Sequence, residues 1–253
     1  MSVRYLTMGE GCLVVELGNV IDPGINEQVH RLAAVLYELE GSGIQELVPT
    51  YRSLAVYFDP LKVSRLSLKE RVSQVLENIV STVKSPASSE GRFAPYTIPR
   101  IVEIPVLYGG EEGPDLSFVA KYAGLSEQEV IEIHTSRIYR VYMLGFLPGF
   151  PYLGGLDERI AVPRLETPRT RIASGSVGIA GSQTGFYPME SPGGWRIMGR
   201  TPLKVFDPYA TPPSLINPGD QVKFRSISRK EYEELERKGI EARVISGPRG
   251  GEE

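Results

Sequence analysis

The sequence predicts an α+β fold, a small two-layer α/β domain followed by a small β-barrel or sandwich. Three observations predict it. Over residues 1–84 the apolar pattern alternates as two strands, a helix, two strands and a helix. Over residues 84–97, KSPASSEGRFAPYT, that periodicity stops and serine, proline and glycine take over. From 145 to 200 prolines and glycines punctuate short apolar runs such as SVGIAG, which a helix does not tolerate and short strands joined by turns do. The expected division is 1–84 for the first domain, 85–97 for a linker, 98–230 for the barrel and 231–253 for a helix and a disordered tail.

The elements follow in order. Residues 3–17 read as two strands around a turn at Met8-Gly9-Glu10-Gly11. Asp22-Pro23 opens a helix, with Asp22 as N-cap and Pro23 in the first position. Ile25, Val29, Leu32, Ala33 and Leu36 form its buried stripe, Gly41 ends it, and His30 is expected on the solvated side. IQELVP and SLAVYFD read as strands. The run SLKE gives a capping box, Ser67 with Glu70, for a second helix whose stripe is Val72, Val75, Leu76 and Ile79. Beyond the linker come the strand RIVEIPVLY, a helix capped by Asp115 and ending at Gly124, and a helix opened by Ser126 with Glu129. After the Pro/Gly-rich stretch come strands PLKVFD and QVKFRSI, then a polar helix opened by Ser228 and Glu231.

Composition narrows the function classes. A formal charge of −3 gives no footprint for nucleic acid. The tight helix pair at 116–135 carries Glu127, Glu129 and Glu132, the wrong sign for a phosphate backbone. No apolar run approaches a membrane span, and Arg4, Glu10 and Glu16 interrupt the first residues, so a cytoplasmic protein is expected. Cys12, the single cysteine, reads as a buried thiol, with a nucleophile as the alternative. The two histidines have no partners at ligand spacing, so no metal site is expected.

Four groups could carry chemistry. The segment Ser174–Gly185, with Ser174, Gly175, Ser176, Gln183 and Thr184, offers backbone amides and neutral donors to an anion, a carboxylate or an amide. From spacing alone, two barrel strands around a glycine turn are the better reading. It is not a P-loop, since no lysine follows the glycines. In PRLETPRTR, Arg164 and Arg169, with Arg171, suit a carboxylate or phosphate clamp, or a solvated loop. Phe146, Phe150, Tyr152, Gly193, Gly194 and Trp195 lie on rigid Pro/Gly loops, and suit a protein interface or barrel packing. His134, at a helix C-terminus, is the one histidine placed to act as general acid or base, although that position also suits a histidine through the helix dipole. Arg164, Arg169, Gln183, Tyr187 and Trp195 are expected to line one concave surface of the barrel, with His134 near its edge.

The runs EIPVLYGGEEGPDL, HTSRIYRVYMLGFLPGFPYLGGL, PRLETPR, ASGSVGIAGSQTGFYP, SPGGWRIMGRTP and PGDQVKF resemble the KipI family, also called allophanate hydrolase subunit 1 or the B subunit of 5-oxoprolinase. The resemblance implies that the barrel is cyclophilin-like, without implying prolyl isomerase activity. It implies a component of an ATP-dependent 5-oxoprolinase, acting with a second barrel-type subunit and a lactam-utilisation subunit. That is the leading reading; the alternatives the resemblance implies are a KipI-type inhibitor of a sensor histidine kinase, or part of a biotin-dependent carboxyltransferase assembly. In the enzyme reading Arg164, Arg169, Ser174, Gly175, Ser176, Gln183, Thr184 and Tyr187 would bind substrate and His134 would move protons. ATP would be bound by the complex. The face of Phe150, Tyr152, Gly193, Gly194 and Trp195 would meet the second barrel-type subunit.

Overall fold

A computed structural model describes residues 3–38, 43–84, 100–238 and 243–246. The chain divides into two compact units, residues 1–97 and 98–253. The expected linker, 85–97, and the expected tail, 247–253, lie outside the described residues.

The first unit is one antiparallel sheet with two helices. Strands β1 (Arg4–Thr7), β2 (Cys12–Glu16), β3 (Ile44–Pro49) and β4 (Ser53–Phe58) lie in the order β1-β2-β4-β3. Helices α1 (Pro23–Tyr37) and α2 (Arg65–Lys84) share a core with the sheet. Strand alternation sends Leu13, Val15, Leu54, Val56 and Phe58 into that core. Each fully buried aliphatic side chain contributes about 2 kcal/mol of transfer free energy. Cys12 is buried and burial raises its thiol pKa, as an inert structural cysteine requires.

The helix boundaries test the cap readings. Asp22 caps α1, its carboxylate accepting from the Ile25 amide at 2.9 Å. The expected stop at Gly41 lies outside the described residues. His30 is buried rather than solvated, because α1 buries a stripe that includes Asn26 as well as the apolar positions. Ser64, not Ser67, starts α2: its hydroxyl accepts from the Ser67 amide and its carbonyl from the Leu68 amide.

The second unit is a closed barrel. It contains β5 (Ile101–Tyr108), α3 (Leu116–Ala123), α4 (Glu127–Ser136), β6 (Ile138–Leu144), β7 (Pro151–Gly154), β8 (Arg169–Ile172), β9 (Ser176–Ala180), β10 (Gln183–Phe186), β11 (Ser191–Gly193), β12 (Arg196–Arg200), β13 (Gln221–Ser226), α5 (Arg229–Lys238) and β14 (Arg243–Ser246). The strand order is β12-β9-β10-β7-β6-β13-β5-β14, and β12 pairs back onto β5 to close the ring. β14, in a stretch where the sequence predicts a helix and tail, extends the sheet antiparallel to β5. β8 and β11 form a separate two-stranded ribbon. The α4 capping box is present, Ser126 and Glu129 serving each other's backbone amides. Asp115 precedes α3 but makes no side-chain cap. Its carboxylate is used elsewhere.

Candidate functional site

The wall β12-β9-β10-β7 has two faces, and side-chain alternation sorts the candidate residues between them. Val177, Ile179, Phe186 and Met198 enter the interior core shared with β5, β6, β13, α3 and α4. Ala180, Tyr187 and Ile197 enter a second cluster, on the outer side, with Phe150, Ile172 and Trp195. Gln183, Gly185 and Tyr187 share that outer side by their spacing of two, whereas Thr184 joins the interior.

The glycine-rich segment is the β9–β10 hairpin, turned by Gly181-Ser182. Its amides are committed to the fold: Gly175 donates to the Tyr187 carbonyl at 2.7 Å and Ser176 to the Ala173 carbonyl at 3.2 Å. A Cβ on Gly185 would lie 2.8 Å from the Pro151 carbonyl and 3.3 Å from the Trp195 ring. Glycine there admits a neighbouring strand and an indole. The Ser174 hydroxyl donates to the Pro188 carbonyl and Ser176 is buried. Ligand cradling by this segment is therefore replaced by wall packing.

His134 is an interior residue, which corrects its expected place at the rim. It has no exposed surface and stacks on Phe224 with centroids 4.5 Å apart. The Thr184 hydroxyl donates to the Gly178 carbonyl at 3.1 Å, so it accepts from His134 Nε2 at 2.8 Å. His134 Nδ1 is then left to accept from the Tyr108 hydroxyl at 2.6 Å. Desolvation pushes the imidazole pKa down to about 3. A neutral ring with both nitrogens occupied exchanges no proton with a ligand on the outer face. The physical reason is barrel closure, which brings Tyr108 and Thr184 around a histidine that its own helix would leave solvated. The expectation of a single surface shared by His134, Arg164 and Trp195 is corrected with it.

Phe150 and Trp195 are buried, at 2% and 5% exposure, and so are not an exposed docking surface. Phe150 is the hub of edge-to-face contacts to Tyr152, Tyr187 and Trp195, with centroids 5.2–5.4 Å apart. Tyr152, Gly193 and Gly194 are half-buried. Phe146 is the exposed member, held at φ 68° in a tight turn in which the Leu147 amide donates to the Gly145 carbonyl at 2.8 Å.

Polar groups gather at one edge of the outer cluster. Asp115 accepts from both terminal nitrogens of Arg169 at 2.9 Å and from the Ile197 amide at 2.7 Å. Arg196 stacks on Phe118, its guanidinium carbon 3.6 Å from the ring centroid. The sequence assigns Asp115 a capping role and does not reveal this clamp; no local pattern marks a pairing 54 residues apart. Arg164 is exposed. Burial pushes the Tyr187 phenol up to about 12, against the lowering effects of the Trp195 amide and of Arg164 and Arg169. Arg164, Arg169, Tyr187, Gln183 and Trp195 therefore share the outer side. Among the described residues no group of three or more His, Cys, Asp or Glu side chains could hold a metal ion. No helix among them is long and apolar enough to cross a membrane.

Comparison with known proteins places this geometry in a family. Residues 3–216 match the family model for the carboxyltransferase domain, subdomain C and D. The chain is similar to the B subunit of 5-oxoprolinase from Bacillus subtilis, at 46% identity over 92% of this chain and 97% of that protein. It is similar to the protein of the same name in Escherichia coli O157:H7, at 40% identity over 90% of this chain and 97% of that one. Among solved structures, TTHA0988 superposes with a TM-score of 0.72 at 34% identity, covering 90% of this chain and 40% of that longer chain. The chain belongs to the carboxyltransferase subdomain C and D family, alongside the 5-oxoprolinase B subunits.

Proposed function

We propose that this chain is the B-type component of an ATP-dependent 5-oxoprolinase. The observation that carries the reading is identity of 40–46% to two proteins named as 5-oxoprolinase B subunits, along nearly their whole length. The reaction would open the lactam of 5-oxoproline to glutamate. A lactam carbonyl is a poor electrophile. Phosphorylation of its oxygen by ATP, with release of ADP, makes the carbon attackable. One water adds and the C–N bond breaks, the nitrogen taking a proton. A second water discharges the phosphate.

In this reading the chain works in the cytoplasm with a second barrel-type subunit and a lactam-utilisation subunit, and ATP is bound by the assembled complex. The hairpin amides are consumed by the barrel wall, which argues against a phosphate cradle there. The outer face, with Arg164 and Tyr187, is the side offered to substrate. The test is reconstitution. The three proteins together should form glutamate and ADP in equal amounts, and this chain alone should form neither. Turnover by the isolated chain, or none by the complete set, contradicts the reading.

The carboxyltransferase description of the family favours a second reading, a part in a biotin-dependent carboxyltransferase-like assembly. Carboxyl transfer to or from a biotinylated carrier, dependent on this chain, would support it.

A further inference from the structure

Most arginines around the outer face have a carboxylate partner, Arg169 and Arg196 sharing Asp115. Arg169 is clamped by Asp115, Arg171 pairs with Glu190 at 2.7 Å, and Arg200 lies 3.7 Å from Glu112. Arg164 differs. It is exposed and has no hydrogen bond or ion pair among the described residues. Its loop is fixed, because the next residue, Leu165, donates its amide to the Gly194 carbonyl at 2.8 Å.

That turn adjoins the Tyr187 hydroxyl, whose titration the Arg164 charge already influences. A Cβ on Gly193 would lie 2.5 Å from the phenolic oxygen and 2.8 Å from Ile172 Cδ1, so glycine there leaves the hydroxyl uncovered by a side chain. The Tyr187 hydroxyl has no hydrogen-bond acceptor among the described residues. Ser191 Oγ is sealed from solvent without a partner. Ser191 stands directly opposite Ile172 in the β8–β11 ribbon, and so faces the same cluster. An unsatisfied hydroxyl, a phenol without an acceptor and an unpaired guanidinium thus border one aromatic cluster.

A buried polar atom without a partner is uncommon in a folded chain and costs stability until something binds it. All three groups can donate and one carries a positive charge, so the matching ligand is an anion. We propose that Arg164, the Tyr187 hydroxyl and the Ser191 hydroxyl form a subsite for the carboxylate of a small lactam acid. That the anion is the carboxylate of a lactam acid such as 5-oxoproline rests on the function proposed above; that the subsite takes an anion does not.

Trp195, the sole tryptophan, packs against Tyr187 with centroids 6.3 Å apart and reports on the site. The full chain is titrated with 5-oxoproline, with 2-pyrrolidinone, which has the ring without the carboxylate, and with inorganic phosphate. 5-Oxoproline should change the emission saturably, and 2-pyrrolidinone should not. Arg164→Gln should weaken binding about tenfold or more, as loss of a charge-assisted pair does. Arg164→Lys should fall between, since it keeps the charge and loses the fork. Arg237→Gln, on the exposed side of α5, should bind as the parent does. Equal responses to both rings, tighter binding of phosphate than of 5-oxoproline, or Arg164→Gln binding unchanged would each overturn the subsite. Arg164-dependent binding with no glutamate from the reconstituted complex would leave the subsite standing and remove the 5-oxoprolinase reading. Glutamate formation with an unchanged KM for 5-oxoproline in Arg164→Gln would do the reverse.

Discussion

The two faces of one barrel wall treat their polar groups in opposite ways. On the inner face Tyr108, His134, Thr184 and the Gly178 carbonyl form a chain in which each donor has an acceptor. On the outer side Arg164, Tyr187 and Ser191 carry protons that no acceptor among the described residues takes. The adjacent positions 183 and 184 on β10 belong to different faces. The contrast teaches how to separate scaffold from site. A satisfied buried network specifies packing. Donors left unsatisfied at a rigid edge mark where something else binds.

If the inner chain is scaffold, breaking it should cost stability first. His134→Ala strands the Tyr108 and Thr184 hydroxyls and opens a cavity against Phe224. We expect a loss of about 4 kcal/mol in chemical denaturation. A protein as stable as the parent would mean that the inner face is not the scaffold described. Asp115→Asn sharpens the comparison from the other side. It removes the charge that holds Arg169 and should cost about 2 kcal/mol. It should also make ligand binding depend more on salt, since a second arginine is released. Unchanged stability would show that the clamp is not what fixes the ribbon to α3.

The inner face also predicts a pH response. The native imidazole titrates at about 3, below the ordinary 6.5, so the unfolded chain takes the proton first. The stability that neutral His134 contributes is complete above pH 6.5 and is lost as pH falls from 6.5 toward 3. Its slope is at most about 1.4 kcal/mol per pH unit. Denaturation of the parent against His134→Gln isolates it; equal slopes would contradict the buried, neutral assignment. Smallest of all should be the effect of Arg164→Gln on folding, within about 0.5 kcal/mol as for an exposed side chain.

Much of the fold is legible because it is written locally. Asp22 before Pro23, Ser126 with Glu129, and the alternation of Leu54, Val56 and Phe58 each carry their meaning within a few residues. That Arg169, Tyr187 and Trp195 come together is also legible, through rigid turns. What escapes local reading depends on closure. The pairing of β5 with β12 and β13 joins strands that lie far apart in the chain, and it delivers Tyr108 to the His134 ring. Trp195 and Phe150 read as exposed because proline and glycine surround them. The same turns let the Trp195 ring fold against Gly185 and the Phe150 ring against Trp195. Asp115 stands in a capping position, and only the fold reveals arginines competing for its carboxylate.

Stability and 5-oxoproline affinity, measured together on Thr184→Val and Tyr187→Phe, test the central claim most directly. The two substitutions remove one hydroxyl each, from opposite faces of the same strand and its continuation. Thr184→Val should lower stability by about 1–2 kcal/mol and leave affinity as it was. Tyr187→Phe should weaken binding several-fold and leave stability close to the parent's. Weakened binding in Thr184→Val, or lost stability with unchanged binding in Tyr187→Phe, would contradict the division between an inner scaffold and an outer site.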